Sequence, residues 1–102
     1  MTTRGVLYVH AATSALCPHI EWAAAGALGV HVNLHWTPQP AAPGTYRCEM
    51  SWQGDPGTGA KLASALRGWM HLRFEVTEEP SSGHEGARYS YTPELGVFHA
   101  VT

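Results

Sequence analysis

Two stretches of alternating residues decide the fold: VHVNLHW at positions 30–36 and YRCEMSW at positions 46–52. In each stretch apolar and polar side chains alternate, which is the pattern of a half-buried β-strand. Three prolines and Gly44 lie between the stretches and predict a stiff connecting loop. A hairpin that places Trp36 opposite Tyr46 keeps the apolar side chains on one face and the polar side chains on the other. The sequence therefore predicts an antiparallel pair with one buried face.

The faces of these strands, and of the strand expected after the second helix, are a specific prediction. The side chains expected beneath the helices are Val32, Leu34, Cys48, Met50, Leu72 and Phe74. The side chains expected on the opposite face are His31, His35, Arg47, Glu49, His71 and Arg73. Because side chains alternate along a strand, a slip of one residue would reverse every one of these positions.

The rest of the chain predicts two helices and four further strands. The elements expected before the last hairpin are a strand over 5–11, a helix from Leu16 or Pro18 to Leu28, a second helix over 60–69 and a strand over 70–76. A polar, flexible loop over 77–86 then leads into a hairpin that pairs 87–91 with 95–101 about a turn at 92–94.

The element order is thus βαββαβ followed by a hairpin. This order predicts an α+β fold of the ferredoxin-like split βαβ type, with both helices on one face of an antiparallel sheet. In that arrangement the first strand lies centrally, between the fourth and the third. Another two-layer α+β fold with the same elements wound differently is the alternative. The 102 residues fit a single domain, 1–102.

Composition excludes several classes of protein. The chain holds 44% hydrophobic and only 14% charged residues, and it has four tryptophans, which excludes a largely disordered protein. The six lysines and arginines are spread singly and form no basic surface for nucleic acid. The apolar run over 22–28 is too short to cross a bilayer. We therefore expect neither nucleic acid nor a membrane as a partner.

The cysteines indicate the compartment. Cys17 and Cys48 fit no zinc or redox spacing. The amino terminus also lacks the basic start, apolar run and small-residue cleavage site of a secretory signal. The expectation is a cytoplasmic protein in which both thiols are unpaired.

Polar side chains on the helix-free face form the first candidate site. If Leu7 and Val9 point inward, histidines, arginines and carboxylates from four predicted strands share that face. The candidate ligand-binding residues are Tyr8, His10, His35, Arg47, Glu49, His71, Arg73 and Glu75. Such a set can bind an anionic or polar ligand, or carry general acid–base chemistry. The alternative is a solvated face, or one covered by the last hairpin or by a second subunit.

A second candidate site lies at the start of the first helix. There Cys17-Pro18-His19 places a thiol and an imidazole where the helix dipole would lower the thiol pKa. The catalytic residues of a small enzyme in this interpretation are His10, Cys17, His19 and Glu49. The alternative is a buried structural cysteine and a surface histidine, because the sequence supplies no residue to orient the pair. The sequence favours a protein without a catalytic site and without a cofactor.

The histidine spacing does not predict a metal site. His31 and His35 share one face of a predicted strand but would stand about 13 Å apart, which is too far for them to share one ion.

The loop before the second helix offers a third candidate, an anion site. It is not a P-loop, because Ala60 separates Gly59 from Lys61 and Leu62 stands where a hydroxyl residue is needed. Free N–H groups at a helix start can still hold a phosphate or carboxylate. The anion-binding residues would be Gly57, Thr58, Gly59 and Lys61. The alternative is a helix start built from turn glycines.

The chain also resembles a known family. The resemblance is carried by RGVLYVH at 4–10, SALCPHIEW at 14–22, RGW at 67–69 and LRFEV at 72–76, and CPHIEW is its most distinctive part. Most of the chain is similar to an actinobacterial family of uncharacterised proteins, domain of unknown function 3145. The resemblance implies a small cytoplasmic protein with no assigned activity, a link to fatty-acid metabolism, and members that continue beyond Thr102. It supplies no catalytic residues.

The function that these observations favour is a non-catalytic binding or accessory module that pairs with itself or with another protein through its sheet. A two-stranded hairpin is marginal alone, and the last hairpin carries apolar side chains on both faces. We expect a homo-oligomer that buries more than about 1,000 Å² at this hairpin and the adjoining sheet. Association should weaken below about pH 6, as imidazoles gain charge near Arg47 and Arg73. An exposed Trp22 would indicate a further partner surface.

The alternative function is a small acid–base or thiol-dependent enzyme that uses the polar sheet face or the Cys-Pro-His helix start. The sequence does not identify a small-molecule ligand for either function.

Overall fold

A computed structural model describes residues 2–69 and 71–102, and these residues form six strands and two helices. The strands are β1 (Thr3–Thr13), β2 (Thr37–Pro38), β3 (Thr45–Gly54), β4 (Arg73–Glu78), β5 (Ala87–Thr92) and β6 (Gly96–Val101). The helices are α1 (Cys17–Leu28) and α2 (Thr58–Leu66). Within these described ranges, no helix has both the length and the apolar composition needed to cross a membrane.

The strands form one antiparallel sheet in the order β2-β3-β1-β4-β5-β6. This confirms the predicted α+β class, with two helices and an antiparallel sheet. The order differs from that of a four-stranded ferredoxin-like sheet, because β5 and β6 extend the same sheet beyond β4 and β2 is only two residues long. The sheet therefore ends at β2 on one side and at β6 on the other.

The core lies between one face of the sheet and the two helices. The side chains of Leu7, Val9, Phe74 and Val76 are at most 1% exposed. The helical side chains that complete this cluster are Ile20, Ala24, Leu62, Ala63 and Leu66. Burial of one large apolar side chain contributes about 1.5–3 kcal/mol, so this layer is the main source of stability.

The predicted faces agree with the burial pattern except at the border of the core. Val32, Leu34, Leu72 and Phe74 are buried. The six polar side chains predicted on the opposite face, His31, His35, Arg47, Glu49, His71 and Arg73, are exposed. Cys48 and Met50 are only partly buried, because β3 lies near the end of the sheet with the two-residue β2 beyond it.

The predicted strand over 30–36 is wrong as a strand but right in its alternation. Val32 and Leu34 are buried between exposed neighbours, yet in the described structure only Thr37 and Pro38 pair with β3 from this side of the loop. The register also differs by two residues, with Pro38 rather than Trp36 opposite Tyr46. A two-residue shift preserves the faces, which is why the burial pattern survives.

A carboxylate replaces the missing strand partner of this segment. The Oε2 atom of Glu21 on α1 accepts the backbone N–H of Leu34 at 3.3 Å and the indole N–H of Trp36 at 2.9 Å. Pro38 and Pro40 have no N–H groups and so cannot donate hydrogen bonds to β3.

The helix bounds agree with the sequence at α1 and differ at α2. Helix α1 has Pro18 in its first turn and stops at Gly29, whose φ of 72° suits a left-handed cap. Helix α2 begins two residues earlier than predicted and ends at Leu66 instead of Trp69. Its end is set by Arg67, which is extended with φ −70° and ψ 155°.

The last three strands follow the prediction with shifted bounds. Strand β4 starts at Arg73, not at 70, because His71 has a φ of 66°, and Met70 lies outside the described residues. It continues to Glu78, so the predicted loop over 77–86 begins inside the sheet. The final hairpin, β5 with β6, forms about a turn at 93–95, one residue later than predicted.

The central strand β1 is longer than predicted and bulges at His10. Its register with both neighbours shifts after Val9, and Ala11 and Ala12 are both buried as a result. A bulge bends a strand and re-aims the side chain at that point. At the other end of β1, a Cβ on Gly5 would clash with the carbonyl oxygen of Thr77, so the two strands approach too closely for any other residue.

Candidate functional site

The helix-free face of the sheet brings a histidine, a glutamate and an arginine together from three neighbouring strands. His10 Nε2 lies 3.1 Å from Glu75 Oε1, and Arg88 Nε lies 3.5 Å from Glu75 Oε2. The ring of Tyr8 stacks on His10, with centroids 6.1 Å apart. We call His10, Glu75 and Arg88 the polar cluster. It contains an imidazole held by a carboxylate, which is the minimum that acid–base chemistry needs.

A cleft of about 350 Å³ adjoins the polar cluster. Five of the predicted ligand-binding residues line it: Tyr8, His10, His35, Arg47 and Glu49. Gln39 also lines the cleft. Its side-chain amide donates a hydrogen bond to the carbonyl of His10 at 2.8 Å and so stabilises the bulge in β1. The cleft therefore offers a guanidinium, a carboxylate and two imidazoles to a polar ligand.

Two of the predicted ligand-binding residues lie elsewhere. His71 and Arg73 line a separate depression with Pro93 and Glu94, at the turn between β5 and β6. Arg73 Nη2 lies 3.1 Å from Glu94 Oε1, so this guanidinium is paired away from the cleft. The eighth residue, Glu75, belongs to the polar cluster.

Sequence reasoning missed Arg88 and Gln39. Arg88 alternates with the aromatic residues Tyr89 and Tyr91, so the sequence indicated that its side chain is exposed. Its position beside Glu75, however, depends on the pairing of β5 with β4, which the sequence did not indicate. Gln39 lies in a proline-rich loop with no periodicity, and nothing in the sequence signals its contact with β1.

The residues proposed for a thiol-dependent enzyme do not converge. Cys17 and His19 belong to α1, on the opposite side of the sheet from His10 and Glu49. His19 instead meets the ring of Trp69 edge-on, with centroids 6.2 Å apart.

The predicted activation of Cys17 is wrong. Burial, and after it the negative charge of Glu21, raises the pKa of the Cys17 thiol above its usual value of 9.0. The Cys17 Sγ atom points back to the carbonyl of Thr13 at 3.5 Å. Burial likewise raises the pKa of Cys48 to about 12. Both cysteines are free, as predicted, and both are held as neutral thiols.

An internal carboxylate occupies the predicted anion site. Glu78 on β4 accepts the backbone N–H of Gly57 at 3.1 Å and that of Gly59 at 2.8 Å, and its side chain is buried, with 7% of the residue exposed. Thr58 donates its hydroxyl to the carbonyl of Asp55. An external phosphate would have to displace Glu78, so the start of α2 is used as a structural clamp.

The metal-ligating side chains do not gather at one point. Over 2–69 and 71–102, no three His, Cys, Asp or Glu side chains are arranged to hold an ion.

Trp22 is exposed on α1, at 78% of its possible area. It borders a shallow groove of about 620 Å³ that is lined mainly by alanines and glycines of α1 together with Val30. The groove is apolar and lies on the outer surface of the helical layer.

The strand β6 is the second exposed apolar surface. Phe98 is 68% exposed, Val101 59% and Val97 38%, and the strand has no Lys, Arg, Asp or Glu. Among the strands that the structure describes, only β5 pairs with β6, so the outer side of β6 is an open sheet edge. Long, uncharged and apolar edges of this kind favour pairing with another chain.

The residues at the end of β6 show which of its backbone groups bond to β5 and which point outward. The N–H of Thr102 donates to the carbonyl of Gly86 at 3.0 Å, which marks a hydrogen-bonded pair. Such pairs alternate along an antiparallel ladder, so Phe98 and Ala100 also bond to β5. The N–H and C=O groups of Val97, His99 and Val101 therefore point out from the sheet.

The opposite edge of the sheet is protected. Strand β2 has two residues, one of them Pro38, and Pro40 and Pro43 follow in the same loop. Proline and short length are common protections against edge-to-edge pairing. The two edges thus differ sharply: β2 is blocked and β6 is open.

The comparisons with known proteins identify a family. A family model described as "Protein of unknown function (DUF3145)" matches residues 6–102. The match covers nearly the whole chain, and the chain belongs to this family. The comparison with curated proteins gives no match, and the comparison with solved structures gives none either.

Proposed function

We propose that this member of the DUF3145 family is a protein-binding module that takes up its partner by extending its sheet at β6. The observation that carries the proposal is the contrast between the open, apolar edge of β6 and the proline-protected edge of β2. Extension of a sheet by a strand from a partner is a common form of protein recognition. The backbone supplies hydrogen bonds, and the alternating side chains supply specificity.

A comparison of the free energy gained by backbone pairing with the cost of association shows what the side chains of β6 have to contribute. Three residues expose six backbone groups, and at about 0.5–1.5 kcal/mol each the resulting bonds contribute roughly 3–9 kcal/mol. Association costs about 4–15 kcal/mol in lost translational and rotational freedom. At the centres of these two ranges backbone pairing does not offset the cost of association, so burial of Phe98, Val97 and Val101 has to supply the difference.

A labelled strand probe tests this proposal. A fluorescein-labelled peptide with the sequence of residues 95–102 is titrated with the protein, and binding is followed by fluorescence anisotropy. Val101→Lys places a charge on the edge, and its matched control is Val30→Lys, since Val30 is 61% exposed and lies outside the sheet. We expect saturable binding to the wild type and the control, and at least tenfold weaker binding to Val101→Lys. Equal binding to the two variants, or no binding to the wild type at concentrations where it is a monomer, contradicts the proposal.

The proposal also includes a ferredoxin-like topology, a cytoplasmic location and a link to fatty-acid metabolism. The ferredoxin-like description is supported by the central position of β1, between β3 and β4, and by two helices that pack on one face. A cytoplasmic location suits two free thiols. The link to fatty-acid metabolism depends on the family resemblance alone.

A second candidate function is favoured by the hydrogen bond between His10 and Glu75. The polar cluster and its cleft suit binding of a small anionic ligand, or acid–base chemistry on one. The test is turnover of a panel of activated esters and phosphate esters by the purified protein. Turnover that is lost in His10→Gln and kept in His31→Gln would support an enzyme, and identical rates in both variants would exclude the cluster as its site.

A further inference from the structure

We infer that the partner strand at β6 is the same strand of a second copy, paired antiparallel about a two-fold axis at His99, and that acid weakens this contact. The inference rests on the proposed function, because it takes β6 as the docking edge. It adds the identity of the partner, the register of pairing and a means of regulation.

The alternation of inward and outward backbone groups along β6 selects the register in which two copies pair. An antiparallel pair of identical strands forms all of its bonds only if outward-pointing residues lie opposite outward-pointing residues. With His99 opposite its own copy, Val97 lies opposite Val101 of the second strand, and all three outward residues of both copies are bonded. A shift of one or more residues in either direction leaves at least one of them unpaired. The strand is therefore self-complementary in its backbone.

The side chains fit the same register. On the helix side of the sheet, each Val97 would face a Val101, which is a favourable pair of β-branched residues. On the helix-free side, each Phe98 would face an Ala100, a large side chain opposite a small one. Apart from the histidines, no titratable side chain meets another across the contact. A closed two-fold dimer with one continuous sheet of twelve strands follows from these pairs.

The centre of this contact is a pair of imidazoles. Directly opposed residues of a hydrogen-bonded pair have their Cα atoms about 5.5 Å apart, so the two His99 rings would stand side by side. Histidine gains a positive charge between about pH 8 and 5, and like charges that face each other across strands are destabilising. Two such charges at this spacing oppose each other strongly enough to weaken binding about tenfold.

In the described part of the chain, the charged side chains of the elements beside His99 are engaged elsewhere or exposed to solvent. The ring of Tyr89 on β5 stacks on His99, with centroids 4.6 Å apart. On β4, Glu78 is committed to the N–H groups at the start of α2. Arg88 is held on the opposite face of the sheet by its ion pair with Glu75. Lys61 on α2 and Arg67 directly after it are exposed to solvent.

Sedimentation velocity of the full chain at pH 7.5 and 5.5, over a range of concentrations, tests the inference. We expect a wild-type dimer whose Kd rises about tenfold at the lower pH. His99→Gln should have the same Kd at both pH values, and His99→Lys should be weak at both. His31→Gln, which removes an exposed histidine outside the sheet, should behave as wild type. Far-UV circular dichroism at each pH separates dissociation from unfolding.

The outcomes separate this inference from the proposed function. A dimer that keeps its acid response in His99→Gln overturns the register, while the proposed function stands if Val101→Lys still prevents association. A wild-type monomer at pH 7.5 that nevertheless binds the labelled strand probe overturns the second copy as partner. A dimer that Val101→Lys leaves intact overturns both the inference and the use of β6 as a docking edge.

Discussion

The clamp between Glu78 and the start of α2 allows a quantitative test of how the two layers are joined. The side chain lies on β4, is buried, and accepts the N–H groups of Gly57 and Gly59. Hydrogen bonds to a charged group contribute about 1.5–3 kcal/mol each, and a carboxylate at a helix N-terminus adds about 0.3–1 kcal/mol. Glu78→Gln keeps one acceptor, loses the charge and turns an amide donor toward the other N–H. We expect it to lower the free energy of unfolding by about 2–4 kcal/mol.

The neighbouring glutamate supplies the control. Glu79 is half exposed and pairs with the exposed Arg4, so Glu79→Gln should cost at most about 1 kcal/mol. Urea unfolding, followed by circular dichroism and by the fluorescence of the tryptophans, measures both variants. With an ordinary urea dependence, the midpoint of Glu78→Gln should fall by roughly 1–3 M. Equal midpoints for the two variants would refute the clamp.

Three further predictions follow from single contacts. Gly5→Ala should destabilise the protein by more than about 3 kcal/mol or prevent folding, because the added Cβ meets a carbonyl oxygen. Gly26→Ala has open space around it in α1 and should stabilise the protein by about 0.5–1 kcal/mol in the same urea assay. Glu21→Gln should lower the unfolding free energy by about 1–2 kcal/mol and shift the emission of Trp36, and an unchanged spectrum would argue against that hydrogen bond. Cys48 should react with iodoacetamide at pH 8 far more slowly in the folded than in the urea-unfolded protein. Because the folded pKa of Cys48, about 12, exceeds the unfolded value of 9.0, its contribution to stability is complete below pH 9 and is lost as the pH rises from 9 to about 12. A difference in unfolding free energy between the wild type and Cys48→Ala that stays constant over this pH range would contradict this.

The sequence predicted those features that depend on local periodicity. The alternation of Val32 and Leu34 with polar neighbours places their side chains in the core whether or not the segment joins the sheet, because burial depends only on which side a residue faces. The same logic placed Tyr8 and His10 on the helix-free face. Local chemistry also set the end of α1, where Gly29 adopts the left-handed conformation that other residues avoid.

The candidate site was only partly predictable, because its contacts cross between strands. The sequence put His10 and Glu75 on one face, but it did not indicate that Arg88 would share the same carboxylate. It offered Gly57 and Gly59 as a candidate anion site beside a plain helix start, and it gave no sign of Glu78, the acceptor about twenty residues further along the chain.

What the sequence by itself determined is therefore the pattern of faces, the helix stops and the α+β class, all of which follow from the conformations and polarity of neighbouring residues. What only the tertiary structure decided is which strands lie side by side. Glu21 accepts the backbone N–H of Leu34 and the indole N–H of Trp36, and so holds against α1 a segment that the sequence assigned to a longer β2. The last hairpin pairs with β4 and so leaves β6 outermost. Hydrogen bonds between distant segments compete for the same backbone groups, and only the folded chain decides which of them form.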